Sequence, residues 1–228
     1  MLLSPASLQA LRGRLIVSAQ AYPGEPMRHP QTMAQVAASA VIGGAAAVRV
    51  QGIADIQFTR SAVEVPVIGL FKDGHEGVFI TPTIHHALAV ANAGAHIVAL
   101  DGTRRERPDG KSLEQTINAV HERSAALVMA DCGSLADALA AAQAGADLIG
   151  TTLAGYTGER DKTEGPDLEL LEQIAAAGLE QPLIAEGRIH TPEQARSALD
   201  AGAFAVVVGT AITHPASITG WFDAALRA

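Results

Sequence analysis

Four stretches of this chain close a helix in the same way. Ile42-Gly43-Gly44-Ala45-Ala46-Ala47-Val48, Ala93-Gly94-Ala95-His96-Ile97-Val98, Ala144-Gly145-Ala146-Asp147-Leu148-Ile149 and Ala201-Gly202-Ala203-Phe204-Ala205-Val206 each read as helix end, glycine, small residues, strand. Glycine suits the left-handed residue that ends a helix. A helix-to-strand turn used four times confines the chain to repeating helix–strand units. Eight short runs rich in branched aliphatics fit that count: they begin near Leu15, Ala47, Val67, Ile97, Ala126, Leu148, Pro182 and Ala205. They are nearly continuous in apolar residues and do not alternate. Such runs mark parallel strands covered on both faces or closed into a barrel.

Helix start signals lie between the runs. Thr32 opens a helix to about residue 42, Thr83 one to about 93, Ser112 one to about 122 and Ser134 one to about 144. Thr191-Pro192-Glu193 offers a cap, a proline at the first helical position and an acid in the first turn. Asp167 and Ser217 are expected to start two more, and residues 55–61 are poorly marked. Eight strands in 228 residues give roughly thirty residues per unit. This predicts an α/β fold, a (β/α)8 TIM barrel with a parallel eight-stranded closed sheet, as one domain over residues 1–228. The competing doubly wound open sheet would carry a glycine-rich fingerprint after its first strand. Here that strand is followed by Ser18-Ala19-Gln20-Ala21-Tyr22.

Composition narrows the function. Sixteen Lys and Arg against twenty-four Asp and Glu give a net charge of −8. Nucleic-acid binding rests on cations displacing counterions from phosphates, so no nucleic-acid partner is expected. No apolar run is long enough for a membrane span, so no membrane partner is expected either. The single cysteine, Cys132, allows no intramolecular disulfide and no cysteine-built zinc site. With no recognisable signal peptide, the chain reads as cytoplasmic. The histidines show no HxH or HExxH spacing, and no catalytic metal is expected.

A barrel carries its active site at the C-terminal ends of its strands. The polar or flexible residues met there are Gln20, Arg49, Lys72, Asp101, Asp131, Thr151 with Thr152, Glu186, and Gly209 with Thr210. Arg49 interrupts an apolar strand. It is expected either to pair with Asp101 or Asp131, or to anchor a ligand oxygen. A lysine at this mouth near an arginine should have a lowered pKa, which suits Lys72 to proton transfer or to Schiff-base chemistry. The loops after strands seven and eight form the usual phosphate cradle of these barrels, which points to Gly187, Gly209 and Thr210. Three functions fit these residues: proton transfer on a phosphorylated substrate, a Schiff-base aldolase or lyase acting through Lys72, and a non-catalytic sensor of a phosphorylated ligand. Trp221 and Phe222 are expected to pack the last helix onto the barrel, with a subunit contact as the other reading.

Several stretches carry a family likeness. They are Leu15-Ile16-Val17-Ser18-Ala19-Gln20-Ala21, Glu25-Pro26-Met27, Val48-Arg49-Val50-Gln51-Gly52, Ile68-Gly69-Leu70-Phe71-Lys72, Ile80-Thr81-Pro82-Thr83, Ala99-Leu100-Asp101-Gly102-Thr103, Ala130-Asp131-Cys132, Gly150-Thr151-Thr152-Leu153-Ala154-Gly155-Tyr156-Thr157 and Ala185-Glu186-Gly187-Arg188-Ile189-His190-Thr191-Pro192. Through them the chain resembles the N-acetylmannosamine-6-phosphate 2-epimerases along nearly its whole length. The resemblance implies a (β/α)8 fold, no cofactor and a homodimer. It implies interconversion of N-acetylmannosamine 6-phosphate and N-acetylglucosamine 6-phosphate, in sialic-acid catabolism. Lys72 and Glu186 would then carry the proton chemistry, and Gln20, Arg49, Asp131, Thr152 and Tyr156 would bind the sugar. Gly187, Gly209, Thr210 and His214 would hold the phosphate. The family's phosphate grip has an arginine where this chain has His214, in Ile212-Thr213-His214-Pro215. Histidine is a weaker and pH-dependent cation.

Overall fold

The eight apolar runs form eight parallel strands: β1 (Leu15–Ala19), β2 (Ala47–Gln51), β3 (Val67–Leu70), β4 (Ile97–Asp101), β5 (Leu127–Asp131), β6 (Leu148–Gly150), β7 (Leu183–Glu186) and β8 (Ala205–Val208). Each pairs with its sequence neighbours, and β8 pairs with β1, so the sheet closes into a barrel. This computed structural model describes residues 3–227. The short helix α1 (Pro5–Gln9) precedes β1. Helices α2 (Pro30–Ile42), α3 (Ile53–Ala62), α4 (Ile84–Asn92), α5 (Leu113–Arg123), α6 (Leu135–Gln143), α7 (Leu168–Ala176) and α8 (Pro192–Asp200) connect successive strands. After β8 come α9 (Thr210–Thr213) and α10 (Pro215–Arg227). Among the described residues no helix is long and apolar enough to cross a membrane.

Side chains of a strand alternate between the two faces of the sheet, so each strand feeds two cores. Val48, Val50, Val98, Leu100, Val128 and Ile149 face the helices and pack with residues such as Ile56, Val90, Ile117 and Leu170. Ile16, Ala47, Ile68, Leu70, Ile97, Met129, Leu148, Ile184 and Val207 fill the barrel interior. The interior columns, continued by two residues toward the C-terminal end, reach polar groups. Ile68 and Leu70 lead to Lys72, Met129 to Asp131, Ile184 to Glu186 and Ala47 to Arg49. The period of two therefore carries an apolar interior into a polar mouth.

The predicted caps hold at Thr83, Ser112, Ser134, Asp167 and Thr191, whose side chains accept from amides in the first helical turn. Gly44, Gly94, Gly145 and Gly202, the turn glycines of the four echoes, all have φ between 92° and 104°. Two helix starts and the packing of the Trp221–Phe222 pair need correction, while the poorly marked segment does form an element. Helix α2 starts at Pro30 with His29 as its cap, not at Thr32, because proline is pre-organised for the first helical position. The poorly marked segment is a ten-residue helix, α3, entered from Gly52 at φ 96° with no side-chain cap. Helix α10 starts at Pro215, not Ser217, and buries no residue. Phe222 is 70% exposed and does not seat α10 on the barrel, while Trp221 lies tilted against His190 at the barrel rim, at 4.8 Å between ring centroids.

Candidate active site

A pocket of about 480 Å³ opens at the C-terminal end of the barrel. Lys72, arriving from β3, and Glu186, ending β7, both line it, with Arg49 of β2 between them in the ring of strands. Lys72 Nζ donates to Gln20 Oε1 at 3.1 Å. Gln20 is oriented in turn by its own amide, which donates to Ser18 Oγ at 2.8 Å. Burial is the largest influence on Lys72, and the Arg49 charge adds to it. Together they pull its pKa down from 10.5 to about 8, against the opposing pull of Asp131. A lysine so placed exists in part as a neutral amine near neutrality, able to accept a proton.

Arg49 is 1% exposed and is neutralised from two strands. Its Nη2 donates to Asp131 Oδ2 at 2.6 Å, and its Nη1 contacts the Glu186 carboxylate. Nη1 also donates to Thr152 Oγ1 at 3.1 Å, and Thr152 Oγ1 donates to Asp131 Oδ1 at 2.7 Å. Of the two expected partners of Arg49 the structure selects Asp131. Asp101 bonds Thr103 and Arg105 instead. The Arg49 Nε atom is buried with no protein partner. Burial pushes the Asp131 carboxyl up, while Arg49 and the Thr152 hydroxyl pull it down. Glu186 is fixed through its backbone: Thr151 Oγ1 accepts from its amide and donates to its carbonyl, both at 3.0 Å.

Gln20, Arg49, Lys72, Thr152, Tyr156, Glu186, Gly187, Gly209, Thr210 and His214 all reach the pocket. Asp131 does not: it is fully buried beneath Arg49 and Thr152. Beneath the site, a Cβ at Gly150 would lie 2.5 Å from Met129 Cε and 3.3 Å from Asp131 Oδ1, so glycine leaves room for this layer. His214 sits in the pocket wall, hydrogen-bonded through Nδ1 but with no hydrogen-bond partner at Nε2 among the described residues. Nδ1 is 2.8 Å from Ser217 Oγ, and Nε2 contacts the Glu25 carboxylate. Arg188 was not singled out as a site residue, yet it lines the pocket with φ 54°. Its guanidinium donates to the carbonyls of Ala154 and Gly165 and to Thr163 Oγ1, which ties the β6–α7 loop to the pocket rim. Its position directly after Gly187 at the end of β7 was the available signal. Cys132 is buried, and burial raises its thiol well above the ordinary range, so it is no nucleophile.

Against this geometry, residues 33–228 match the family model described as "Putative N-acetylmannosamine-6-phosphate epimerase". The chain belongs to the N-acetylmannosamine-6-phosphate 2-epimerase family. A relative from Cutibacterium acnes, described as "Putative N-acetylmannosamine-6-phosphate 2-epimerase", is 61% identical over 96% of this chain and 96% of its own. One of the same description from Corynebacterium glutamicum is 46% identical over 95% and 94%. The solved structure of the N-acetylmannosamine-6-phosphate 2-epimerase from Clostridium perfringens superposes with a TM-score of 0.90. It is 38% identical and covers 95% of this chain and 94% of that one. A thiamine phosphate pyrophosphorylase from Pyrococcus furiosus shares the fold alone, with a TM-score of 0.60 at 22% identity over 90% and 89%.

Proposed function

We propose that this member of the epimerase family interconverts N-acetylmannosamine 6-phosphate and N-acetylglucosamine 6-phosphate, a reaction of sialic-acid catabolism. The convergence of Lys72 and Glu186 on one pocket around Arg49 carries this reading. In the open-chain sugar the hydrogen on the acetamido-bearing carbon is α to the aldehyde. The neutral Lys72 amine removes it. The electron pair moves onto the carbonyl oxygen as an enolate, which Arg49 stabilises as a nearby cation shielded from water. Return of a proton to the opposite face inverts the centre; Glu186, on a different strand from Lys72, is suited to deliver it after its carboxylate has taken up a proton from solvent, and Lys72 then gives the abstracted proton back to solvent. Gln20, Thr152 and Tyr156 hold the sugar, and Asp131 acts from beneath by holding Arg49 and Thr152. Gly187, Gly209, Thr210 and the His214 wall receive the phosphate, where the first amides of α9 have no intrahelical acceptor. Purified protein incubated with N-acetylmannosamine 6-phosphate should yield N-acetylglucosamine 6-phosphate by NMR, and borohydride should trap no adduct. A borohydride-trapped adduct on Lys72 with cleavage of the sugar would replace this reading with a Schiff-base lyase.

We also propose a homodimer. The apolar groove left open outside β1 is about 530 Å³ and is lined by Leu15, Val17 and Val36, together with Ile212. It lies where the helix of the eighth unit would cover the barrel, while Trp221, Phe222 and Leu226 of α10 stay 41–87% exposed. Two copies related by a two-fold axis can satisfy both faces at once, α10 of each filling the groove of the other. Sedimentation should give a dimer, and Phe222→Glu should shift it toward monomer. A monomeric wild type would refute this.

A further inference from the structure

Strands β3 and β4 pair through Ile68–Ile97 and Gly69–Val98 and then part. Residues 80–81, returning from the loop after β3, fill the gap. Lys72 and Ile80 form an antiparallel bridge, and the Asp101 amide donates to the Ile80 carbonyl at 2.9 Å. Thr81 is the wedge. It is fully buried, with φ 46°, a left-handed conformation that a β-branched residue adopts only when its surroundings force it.

All the polar groups of Thr81 are used. Its amide donates to the Phe71 carbonyl at 2.6 Å, and its Oγ1 accepts from the Phe71 amide at 3.1 Å. The same hydroxyl donates to the Ala99 carbonyl at 2.6 Å. Its carbonyl accepts from Arg107 Nη2 at 2.9 Å, and Arg107 Nη1 donates to the Asp101 carbonyl at 2.7 Å. Arg107 is itself buried, with no carboxylate partner, and is spent on these two carbonyls. Both backbone groups of Phe71, the residue immediately before Lys72, are therefore held by one strained residue that is itself locked to β4.

We propose that Thr81 is a positioning residue for Lys72, fixing the backbone at the root of this long side chain so that its ammonium stays in the pocket beside Gln20. The proposal rests on Lys72 being the acid/base of the reading above. A lysine has four rotatable side-chain bonds, and restraining its root removes freedom that would otherwise be lost in every productive encounter. Lys72 is faced by Arg49, Asp131, Arg28 and the Tyr22 ring, and Glu186 shares its pocket. Movement of its root changes its distance to each of these charges.

Thr81→Val keeps size and branching but removes the hydroxyl, leaving the Phe71 amide and the Ala99 carbonyl without their partner. Thr81→Ser restores the hydroxyl. With circular dichroism confirming the fold, Thr81→Val should lose at least tenfold in kcat with KM changed less than about twofold. The acidic limb of its kcat–pH profile should move by at least half a pH unit. Thr81→Ser should recover most of kcat and the wild-type limb. Wild-type kcat and profile in folded Thr81→Val, or no rescue by Thr81→Ser, would overturn the proposal. Should Thr81→Val not fold, Arg107→Gln releases the Thr81 carbonyl while leaving its hydroxyl in place. The same kcat loss and limb shift are then expected, and an unchanged profile would count against the proposal. Lys72→Ala separates the two layers of the argument. If it retains exchange at the acetamido-bearing carbon, the acid/base reading fails. If it is inactive while Thr81→Val is normal, only the positioning role fails.

Discussion

Arg49 and Asp131 form an ion pair across the interior of the barrel mouth, 2.6 Å between Nη2 and Oδ2, with side chains 1% and 0% exposed. Two strands on different sides of the ring, β2 and β5, are thereby joined directly under the pocket. A pair this deep contributes little net stability over an apolar alternative, but loss of Asp131 leaves the buried Arg49 balanced by the Glu186 carboxylate alone. Asp131→Ala should therefore destabilise the protein, by less than the roughly 3–5 kcal/mol of a buried charge left with no partner. Urea unfolding monitored by circular dichroism measures it. Activity should fall with it, because Arg49 and the Thr152 hydroxyl both lose their anchor.

The lowered pKa of Lys72 makes a kinetic prediction. The base is the neutral amine, so log kcat/KM should climb by one per pH unit at low pH and level off near pH 8. A profile that is flat between pH 6 and 8 would conflict with Lys72 as the base.

The same shift has a thermodynamic side. The folded protein holds its Lys72 proton more weakly than the unfolded chain, whose lysine titrates at about 10.4. Between about pH 8 and that value the unfolded state binds more protons, so stability rises with pH across this window. Below about pH 8 the full penalty of the buried ammonium is present. Lys72→Met should thus abolish turnover while stabilising the fold at pH 7 by about 1–3 kcal/mol, part of the shift being screened at the pocket mouth. Thermal melts of the two proteins at pH 7 and pH 10 test both halves: the gap in Tm should narrow at the higher pH.

Gly150 predicts a packing defect with a catalytic consequence. A methyl there would lie 2.5 Å from Met129 Cε, the end of a fully buried side chain that must move, and 3.3 Å from Asp131 Oδ1, which must give slightly. Gly150→Ala should cost about 1–3 kcal/mol in stability, and kcat should fall as Asp131 shifts. An unfolding curve and a kcat within error of wild type would show that the layer yields freely.

The resemblance implies an arginine at the position of His214, whose ring nitrogens here face Glu25 and Ser217. His214→Arg supplies a permanent cation with more donors than Glu25 can occupy. KM for the phosphorylated sugar should drop several-fold at pH 8 with kcat little changed. An unchanged KM would mean that the backbone cradle already carries the phosphate.

The barrel was legible because its strands advertise themselves. Near-continuous apolar runs such as residues 97–100 are buried on both faces, and the turn glycines, Gly44 through Gly202, announce each return to the sheet. That Lys72 and Glu186 would reach one pocket was legible because a cleft at the strand ends is a property of the fold. What stayed hidden depends on contacts between distant residues. Nothing local says that Thr81 grips Phe71 and Ala99, or that Glu25 meets His214. Asp131 looks like any other mouth carboxylate until its depth beneath Arg49 is seen. Helix α3 starts from a glycine without a side-chain cap, so its beginning left no mark. Trp221 and Phe222 stand out in the sequence, but which surface they cover is a matter of assembly.

Solvent deuterium uptake at the acetamido-bearing carbon, followed by proton NMR with N-acetylmannosamine 6-phosphate in D2O, tests the central assignment most directly. Wild-type protein should exchange that hydrogen as it forms the epimer, and Lys72→Ala should slow exchange at least a thousandfold. Glu186→Gln should also block formation of the epimer. Exchange by Lys72→Ala at a rate near wild type would remove Lys72 from the chemistry, and the account of this site with it.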